Sequence, residues 1–220
     1  MSSSEANKKN IEYWNELHKS YDRNVIEKEI VNDDWMWTFK NIIEEARGPV
    51  IDLGCGSGND TLYLLNKGKR VVPCDGSINA ILNIRKNFPE IDEAICFDML
   101  TSFPFANNST DLIIADLCLH YFTKEDTLKI LKEIKRVLTN KGHMLLRVNS
   151  INDINHGAGK GMEVEPHLYM SEDGRYKRFF SQSDIYEFFN IFDIKNVREE
   201  PMKRYKLEKQ TLIVNARNIK

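Results

Sequence analysis

Hydrophobic residues follow two different spacings along this chain, and the alternation between them predicts the order of its strands and helices. Five short apolar runs have the length of buried strands: 50–53, 70–74, 93–97, 111–115 and 143–148. Three segments between them carry apolar residues at helical spacing: 60–67, 78–87 and 124–138. Strands and helices that alternate in this way form βαβ units with right-handed crossovers. The pattern therefore predicts a parallel sheet with helices on both faces.

The last part of the chain extends this sheet. A predicted helix over 183–189 is followed by apolar strands over 194–198 and 205–216, which can join the sheet as a hairpin. We therefore expect an α/β fold with a doubly wound, mostly parallel sheet of seven strands, of which the last is antiparallel.

The start of the chain is predicted to form a helical cap in front of the sheet. Residues 1–9 are polar, and we expect them to be frayed. An aromatic-rich helix is predicted over 11–21, and a second helix is predicted from about 33 to 46. We therefore divide the chain into an N-terminal cap, 1–47, and an α/β domain, 48–220.

The stretch 149–181 shows neither spacing. It is polar and rich in glycine, and it leaves the carboxyl end of the fifth predicted strand. Ligands of doubly wound sheets bind beyond this end of the strands. Since long connections without regular structure are usually functional or disordered, we expect a lid over a binding site, partly ordered by its aromatic residues.

The first strand stops at a glycine-rich loop. Gly54, Gly56 and Gly58 alternate with other residues, and a helical segment begins directly after them. Glycine admits positive φ and lets a ligand approach the main chain, because no Cβ stands in the way. Asn59 or Asp60 can cap the helix, whose free N–H groups point at the loop. We infer that the loop binds a ligand.

Two ligand classes share such a loop, and the spacing of the glycines separates them. The dinucleotide fingerprint Gly-x-Gly-x-x-Gly needs its third glycine at position 59, which holds asparagine. Here the third glycine is Gly58, and Asp52 lies two positions before the first. The pattern Asp-x-Gly-x-Gly-x-Gly resembles the first motif of the class I S-adenosylmethionine-dependent methyltransferases. The resemblance implies a Rossmann-like methyltransferase fold, with S-adenosylmethionine as the cofactor and S-adenosylhomocysteine as its product.

Residues at later strand ends extend the resemblance over about 48–150. Asp75 ends the second strand, where an acid can accept both hydroxyls of a ribose. Asp98 and Met99 end the third strand. In this family an acid at this place accepts a hydrogen bond from the adenine amino group, and its apolar neighbour packs on the adenine ring. The run 111–122 resembles the family's fourth motif. The implied cofactor-binding residues are Asp52, Gly54, Cys55, Gly56, Gly58, Asp75, Gly76, Asp98, Met99, Asp116 and Leu117.

Catalytic residues are expected just after the fourth strand. Displacement at a sulfonium methyl needs mainly alignment and desolvation of the reactants, and a base only for a protonated acceptor. His120 is the candidate base, because histidine titrates near neutral pH, although it could equally pack under the lid. Tyr121 is expected beside the acceptor. Tyr13, Trp14 and Tyr21 offer aromatic faces to the cationic sulfonium, although such a stripe could equally be core.

Composition and charge limit the classes of binding partner that we expect. The net charge of −2 provides no basic field for nucleic acid. No apolar run approaches the roughly 18 residues of a membrane span, and the first residues lack a signal-peptide core, so we expect a cytoplasmic protein without a membrane partner. Four widely spaced cysteines form no metal or disulfide framework, and no metal site is expected. The expected partner is a small-molecule methyl acceptor, and the protein is expected to be a monomer or homodimer.

Three alternatives stay open. An NAD(P)-dependent oxidoreductase would have the longer glycine fingerprint and a Tyr-x-x-x-Lys pair past the fourth strand, where this chain has none. A non-catalytic nucleoside-binding protein would lack an acceptor pocket. Metal-assisted methyl transfer would need oxygen ligands, for which Asp116 and Asn149 or Asp153 are placed.

Overall fold

The structure is a computed structural model that describes residues 2–19, 34–202 and 204–220. Its strands are β1 (Val50–Leu53), β2 (Val71–Asp75), β3 (Ile95–Cys96), β4 (Thr110–Asp116), β5 (Leu138–Asn149), β6 (Met162–Glu165), β7 (Leu168–Met170), β8 (Tyr176–Arg178), β9 (Asp193–Met202) and β10 (Lys209–Arg217). Seven of them form one sheet in the order β3-β2-β1-β4-β5-β10-β9. β1 to β5 are parallel, and β10 is antiparallel to its neighbours β5 and β9. The predicted doubly wound α/β sheet is confirmed.

The central strands are buried on both faces. In β4, Ile113 and Ala115 belong to one core layer, whereas Leu112 and Ile114 belong to the layer on the opposite face. Parallel strands that are covered on both sides read as continuous apolar runs. This is why the sequence marks the bounds of β1 and β4 to within one residue.

Helices cover both faces of the sheet. The α-helices are α1 (Ser3–Leu17), α2 (Lys40–Glu45), α3 (Asn59–Asn66), α4 (Ile78–Asn87), α5 (Lys124–Val137) and α6 (Gln182–Phe188). Short 3-10 helices occur at Trp35–Phe39, Leu119–Tyr121 and Ile154–His156. α5 and α6 pack on one face of the sheet, and α2 with the first 3-10 helix packs on the other. No helix within the described ranges is long and apolar enough to cross a membrane.

The N-terminal residues differ from the expected frayed end. α1 begins at Ser3 because Ser2 and Glu5 form a capping box, in which the Glu5 N–H donates to Ser2 Oγ at 3.3 Å and the Ser2 N–H donates to the Glu5 carboxylate at 2.8 Å. Asn7 and Asn10 on this helix are buried. The predicted helix over 11–21 therefore starts earlier, and the part of it beyond residue 19 lies outside the described residues.

The stretch predicted to be a lid contains a small antiparallel sheet, in the order β6-β7-β8. Arg178 fixes this sheet to its surroundings: it pairs with Glu165 and donates to the carbonyl of Pro166 at 2.8 Å. Strands of three or four residues are too short to show a periodicity. The sequence therefore gave no sign of them.

The cysteines are free thiols. Cys55, Cys74 and Cys118 are buried, as expected for small apolar residues of the core. Cys96 is exposed, because the two-residue strand β3 lies at the edge of the sheet.

Candidate functional site

The loop after β1 takes its shape from glycines with positive φ, +73° at Gly54 and +95° at Gly58. A Cβ on Gly54 would lie 2.4 Å from the Cβ of Cys118, so the chain after β4 approaches only because that atom is missing. A Cβ on Gly58 would lie 2.7 Å from side-chain carbons of Ile84 and Phe88. The glycines are therefore required by packing as well as by φ.

Asp52 lies beneath this loop rather than on its open side. Its carboxylate accepts a hydrogen bond from Thr61 Oγ1 at 2.5 Å, which ties β1 to the first turn of α3. Burial raises the pKa of Asp52 to about 7, although the bond from Thr61 acts to lower it. The N-cap of α3 is Gly58, in a left-handed conformation, so the expected capping by Asn59 or Asp60 is wrong.

Carboxylates at two successive strand ends line the same cavity, which is described below. Asp75, at the end of β2, accepts hydrogen bonds from the N–H groups of Gly56 at 3.0 Å and Ser77 at 2.7 Å. Burial raises its pKa, and these two bonds act to lower it. Asp98, after β3, accepts from Asn7 Nδ2 with both carboxylate oxygens, at 2.9 and 2.8 Å. The helix α1 thus bonds directly to one acid of the site.

α1 is also fixed to α4. Asn15 Oδ1 accepts hydrogen bonds from the N–H of Asn79 at 3.0 Å and from Ser77 Oγ at 3.1 Å. The carbonyl of His18 accepts from Asn83 Nδ2 at 2.6 Å. Polar side chains on the inner face of the helix therefore hold it over the strand ends.

The aromatic residues of α1 divide between two directions. The rings of Trp14 and His18 stack at 5.5 Å between centroids and line the cavity described below. Tyr13 points elsewhere, with the guanidinium carbon of Arg175 3.7 Å from the centre of its ring. Tyr21 lies outside the described residues. Of the three aromatic residues expected near a cationic ligand, the structure places Trp14 at the site.

An ion-pair network lies at the end of the site beside β4. Asp116, at the end of β4, accepts from Arg147 Nε at 2.6 Å and Nη2 at 2.7 Å, and from Arg204 at 3.2 Å. Arg147 is 1% exposed and lies 4.8 Å from the ring centre of Trp35, whose Nε1 donates to Asp60 at 3.1 Å. Burial raises the pKa of Asp60 well above its usual range, with Asp116 adding to the effect. The network brings carboxylates and guanidinium groups together at one point.

The segment after β4 carries the expected catalytic residues. Leu117 has a φ of +51°, and its N–H donates to the carbonyl of Arg147 at 3.0 Å. The ring of Tyr121 lines the cavity, and the ring of His120 lies behind it, with 4.2 Å between their centroids. Burial lowers the pKa of His120 well below its usual range, and Lys209 and Lys177 lower it further. The structure therefore places Tyr121 at the cavity wall and His120 one layer away.

These groups surround a cavity of about 220 Å³ at the carboxyl ends of β1 to β4. In a sheet of this order the topological switch point lies between β1 and β4, where ligands of such folds bind. The sequence-predicted residues that line it are Trp14, Gly54, Cys55, Gly56, Asp75, Gly76, Asp98, Met99, Asp116, Leu117 and Tyr121. Four other predicted residues do not line the cavity: Asp52, Gly58, Tyr13 and His120. The glycine cradle and the two acids after β2 and β3 fit a nucleoside, and the ion-pair network fits a zwitterionic group.

Several lining residues were missed by sequence reasoning. Asn7, Asn10 and His18 come from the helix that was expected to begin at Ile11. Arg147 does not line the cavity but pairs with Asp116, which does, and it had a visible signal, because it interrupts an apolar strand in which a charge needs a partner.

Metal ligation finds no support in the described ranges, which contain no group of three or more His, Cys, Asp or Glu side chains that could hold an ion. Two of the three oxygen ligands considered for a metal are otherwise engaged. Asp116 pairs with the two arginines, and Asp153 pairs with Lys209 at 3.0 Å.

Comparison with known proteins finds similarity to methyltransferases. Residues 51–146 match a family model described as a methyltransferase domain. An uncharacterized protein of Methanocaldococcus jannaschii is 36% identical over 99 residues, which are 45% of this chain and 40% of that protein. The tRNA N(3)-cytidine methyltransferase METTL2 of Gallus gallus is 25% identical over 161 residues, 68% of this chain and 43% of its own length. The chain thus spans about half the length of the curated relatives it matches.

Solved structures share the fold. A SAM-dependent methyltransferase from Methanosarcina mazei superposes with a TM-score of 0.68 at 18% identity, over 80% of this chain and 93% of the other. The 1,6-didemethyltoxoflavin-N1-methyltransferase of Burkholderia thailandensis, solved with bound 1,6-didemethyltoxoflavin and S-adenosylhomocysteine, superposes with a TM-score of 0.60 at 21% identity, over 79% and 72%.

Proposed function

We propose that the chain is a class I S-adenosylmethionine-dependent methyltransferase, which binds S-adenosylmethionine in the cavity at the strand ends and transfers the methyl group to a small molecule. The observation that carries this proposal is the convergence of the glycine loop, Asp75 and Asp98 on one cavity.

Each part of the cavity has groups for one part of the cofactor. Asp75 offers its carboxylate to the ribose hydroxyls, and Asp98 offers an acceptor to the adenine amino group. Asp116 and Arg204 line the cavity and offer both signs of charge to the ammonium and carboxylate of the amino-acid end, and Arg147 holds the Asp116 carboxylate. When bound, the cofactor supplies a methyl group that its positive sulfur has already activated.

The chain's own residues then align the reactants and exclude water. Trp14 and Tyr121 present aromatic rings at the wall, and such rings attract a sulfonium cation. α1 covers the cavity through its bonds to Asp98 and to α4, so that the reactants lie away from bulk solvent. His120 stays the predicted base for a protonated acceptor, with Tyr121 between its ring and the cavity.

A small-molecule acceptor is supported by the net charge of −2 and by the fold neighbour that methylates 1,6-didemethyltoxoflavin. A tRNA is the second candidate, since METTL2 acts on tRNA cytidine. A cytoplasmic location and a monomeric or homodimeric state stay expectations of the sequence analysis.

Calorimetric titration with S-adenosylhomocysteine, and in parallel with NADH, tests the cofactor. We expect binding of the former at about micromolar Kd and none of NADH. Asp98→Asn should weaken this binding about tenfold, because an amide offers one acceptor oxygen where the carboxylate offers two. Asp92→Asn, on the exposed turn before β3, is the matched control and should bind like the wild type. Binding of NADH alone would overturn the proposal.

The acceptor is tested separately with radiolabelled S-adenosylmethionine. Label transferred to compounds of low molecular mass from a metabolite extract supports the small-molecule proposal. Label recovered in tRNA instead would replace it with the second candidate.

A further inference from the structure

A group of polar side chains lies directly behind the cavity wall. We call it the lysine cluster and define it as Lys177, Lys209, His120, Asp153 and His156. Lys209 Nζ donates to Asp153 Oδ2 at 3.0 Å, and His156 Nδ1 lies 2.9 Å from Asp153 Oδ1. Lys177 Nζ donates to the backbone carbonyl of His156 at 2.7 Å. Lys209, Asp153 and His120 are buried.

Two tyrosines separate the lysine cluster from the cavity. Tyr121 lines the cavity, and its ring contacts that of His120. Tyr205 also lines it, with its ring centre 5.5 Å from that of His156 and 5.8 Å from Lys209 Nζ. The lysine cluster therefore lies one layer of side chains behind the cavity wall, at Tyr121 and Tyr205.

The cluster carries more positive than negative charge. Asp153 supplies its carboxylate, and this group is already bonded to Lys209, to His156 and to the N–H of Gln210 at 3.2 Å. Within the described ranges, Lys177 has no ion pair, and its hydrogen bond goes to a neutral carbonyl. Burial and the nearby Lys209 lower the pKa of Lys177 to about 8, so the ammonium is still mostly charged at neutral pH. A desolvated ammonium of this kind is stabilised when an anion joins it.

His120 gives an independent indication at the same place. Its Nδ1 is fully buried and has no hydrogen-bond partner among the residues that the structure describes. Such groups are rare in native structures unless a water or a ligand satisfies them. Burial keeps the ring neutral, so Nδ1 is either a donor or an acceptor, depending on the tautomer. It can therefore donate to a ligand oxygen or accept a hydrogen bond from a ligand hydroxyl.

We propose that the lysine cluster binds an oxyanion, a carboxylate or phosphate, carried by the methyl acceptor. This inference rests on the proposed function, because it assigns the cluster to the acceptor of that reaction. Lys177 and Lys209 hold the oxyanion, and the reacting end of the acceptor lies at Tyr121 on the cavity side. His120 completes the hydrogen bonding of the oxyanion, a role that replaces the one of base for such an acceptor. The substrates are accordingly small acidic molecules, and their neutral analogues are poor substrates.

The test uses benzoate, inorganic phosphate and neutral benzamide as probes, titrated by calorimetry into the protein saturated with S-adenosylhomocysteine. We expect benzoate or phosphate to bind and benzamide not to bind. Lys177→Gln should weaken the anion at least about tenfold, because one charge-assisted hydrogen bond is lost. Lys177→Arg should restore most of the affinity. Lys160→Gln, an exposed lysine of the same stretch, removes the same charge and should behave like the wild type.

Glutamine can still donate to the His156 carbonyl, so Lys177→Gln is expected to fold, and a thermal unfolding curve checks this for each variant. Equal affinity of the anion for wild type and Lys177→Gln overturns the inference, and so does binding of benzamide as tight as that of benzoate or no anion binding at all. If S-adenosylhomocysteine itself fails to bind, it is the proposed function that fails. The same titrations on the unloaded protein then decide the anion site by the same criteria.

Discussion

Replacing Gly54 by alanine tests the central claim about the glycine loop, that its first glycine is required by packing and not by backbone conformation alone. Gly54 and Gly68 have nearly the same φ, +73° and +70°. They differ in surroundings: a Cβ on Gly54 meets Cys118, whereas a Cβ on Gly68 has no heavy atom within 4 Å. Gly68→Ala is therefore a control that carries the backbone strain without the clash.

The expected loss of stability follows from these distances. Alanine in the left-handed region costs about 1–2 kcal/mol, and both variants share this term. In Gly54→Ala the new Cβ would lie 2.4 Å from the Cβ of Cys118, against about 3.5–4.0 Å for carbon atoms in contact, so the two loops must separate. Overpacking of this kind adds about 1–3 kcal/mol. We expect a total loss of about 2–5 kcal/mol for Gly54→Ala and about 1–2 kcal/mol for Gly68→Ala.

Urea unfolding followed by circular dichroism measures both losses, and calorimetry with S-adenosylhomocysteine measures the effect on the cavity. Gly54→Ala should also weaken ligand binding at least about tenfold, since the displaced loops both line the cavity, whereas Gly68→Ala should bind like the wild type. Equal loss of stability in the two variants would refute the packing argument. Full ligand affinity in Gly54→Ala would show that the loop does not form the cofactor site.

Three further predictions concern buried charged or titratable groups. Between about pH 5 and pH 7 the wild type should lose stability relative to Asp52→Asn, by at most about 1.4 kcal/mol per pH unit. The reason is that folding raises the pKa of Asp52 to about 7, so the unfolded chain releases this proton at lower pH than the folded protein does. Urea titrations at both pH values measure the free energy of unfolding, and the same change with pH in both proteins would contradict the prediction. Arg147→Met should lower the free energy of unfolding by about 3–5 kcal/mol, since Asp116 loses its bidentate partner. Arg47→Met replaces an exposed arginine and should cost little. Similar losses in the two variants would show that the ion pair between Arg147 and Asp116 does not stabilise the fold. His120→Ala should bind S-adenosylhomocysteine normally but turn over slowly, and unchanged turnover on the true acceptor would remove it as the base.

The order and type of the main elements could be predicted from the sequence because they depend on local patterns. β1 and β4 are buried on both faces and read as unbroken apolar runs, and α4 was predicted with the bounds that the structure shows. β5 begins earlier than expected, at Leu138, since this residue pairs with Thr110 of β4. Such pairing between distant residues has no local signal.

The residues of the candidate site also divide into those that the sequence could predict and those that it could not. Gly54, Asp75 and Asp98 stand out in the sequence because a turn at a strand end needs special residues, and the topology of parallel sheets brings strand ends together. The wall formed by Asn7 and His18 could not be predicted, because polar residues on a terminal helix have no preferred partner until the helix docks.

By itself, the sequence determined the parallel sheet, the cradle after β1 and the acids at the strand ends, since these follow from hydrophobic spacing, glycine φ and the direction of parallel strands. Only the tertiary structure decided that α1 bonds to Asp98, that β6 to β8 form a sheet, and that Lys177 and Lys209 lie near enough to His120 to lower its pKa. Each of these depends on contacts between residues far apart in the chain, whose burial and charge balance exist only once the whole fold is assembled.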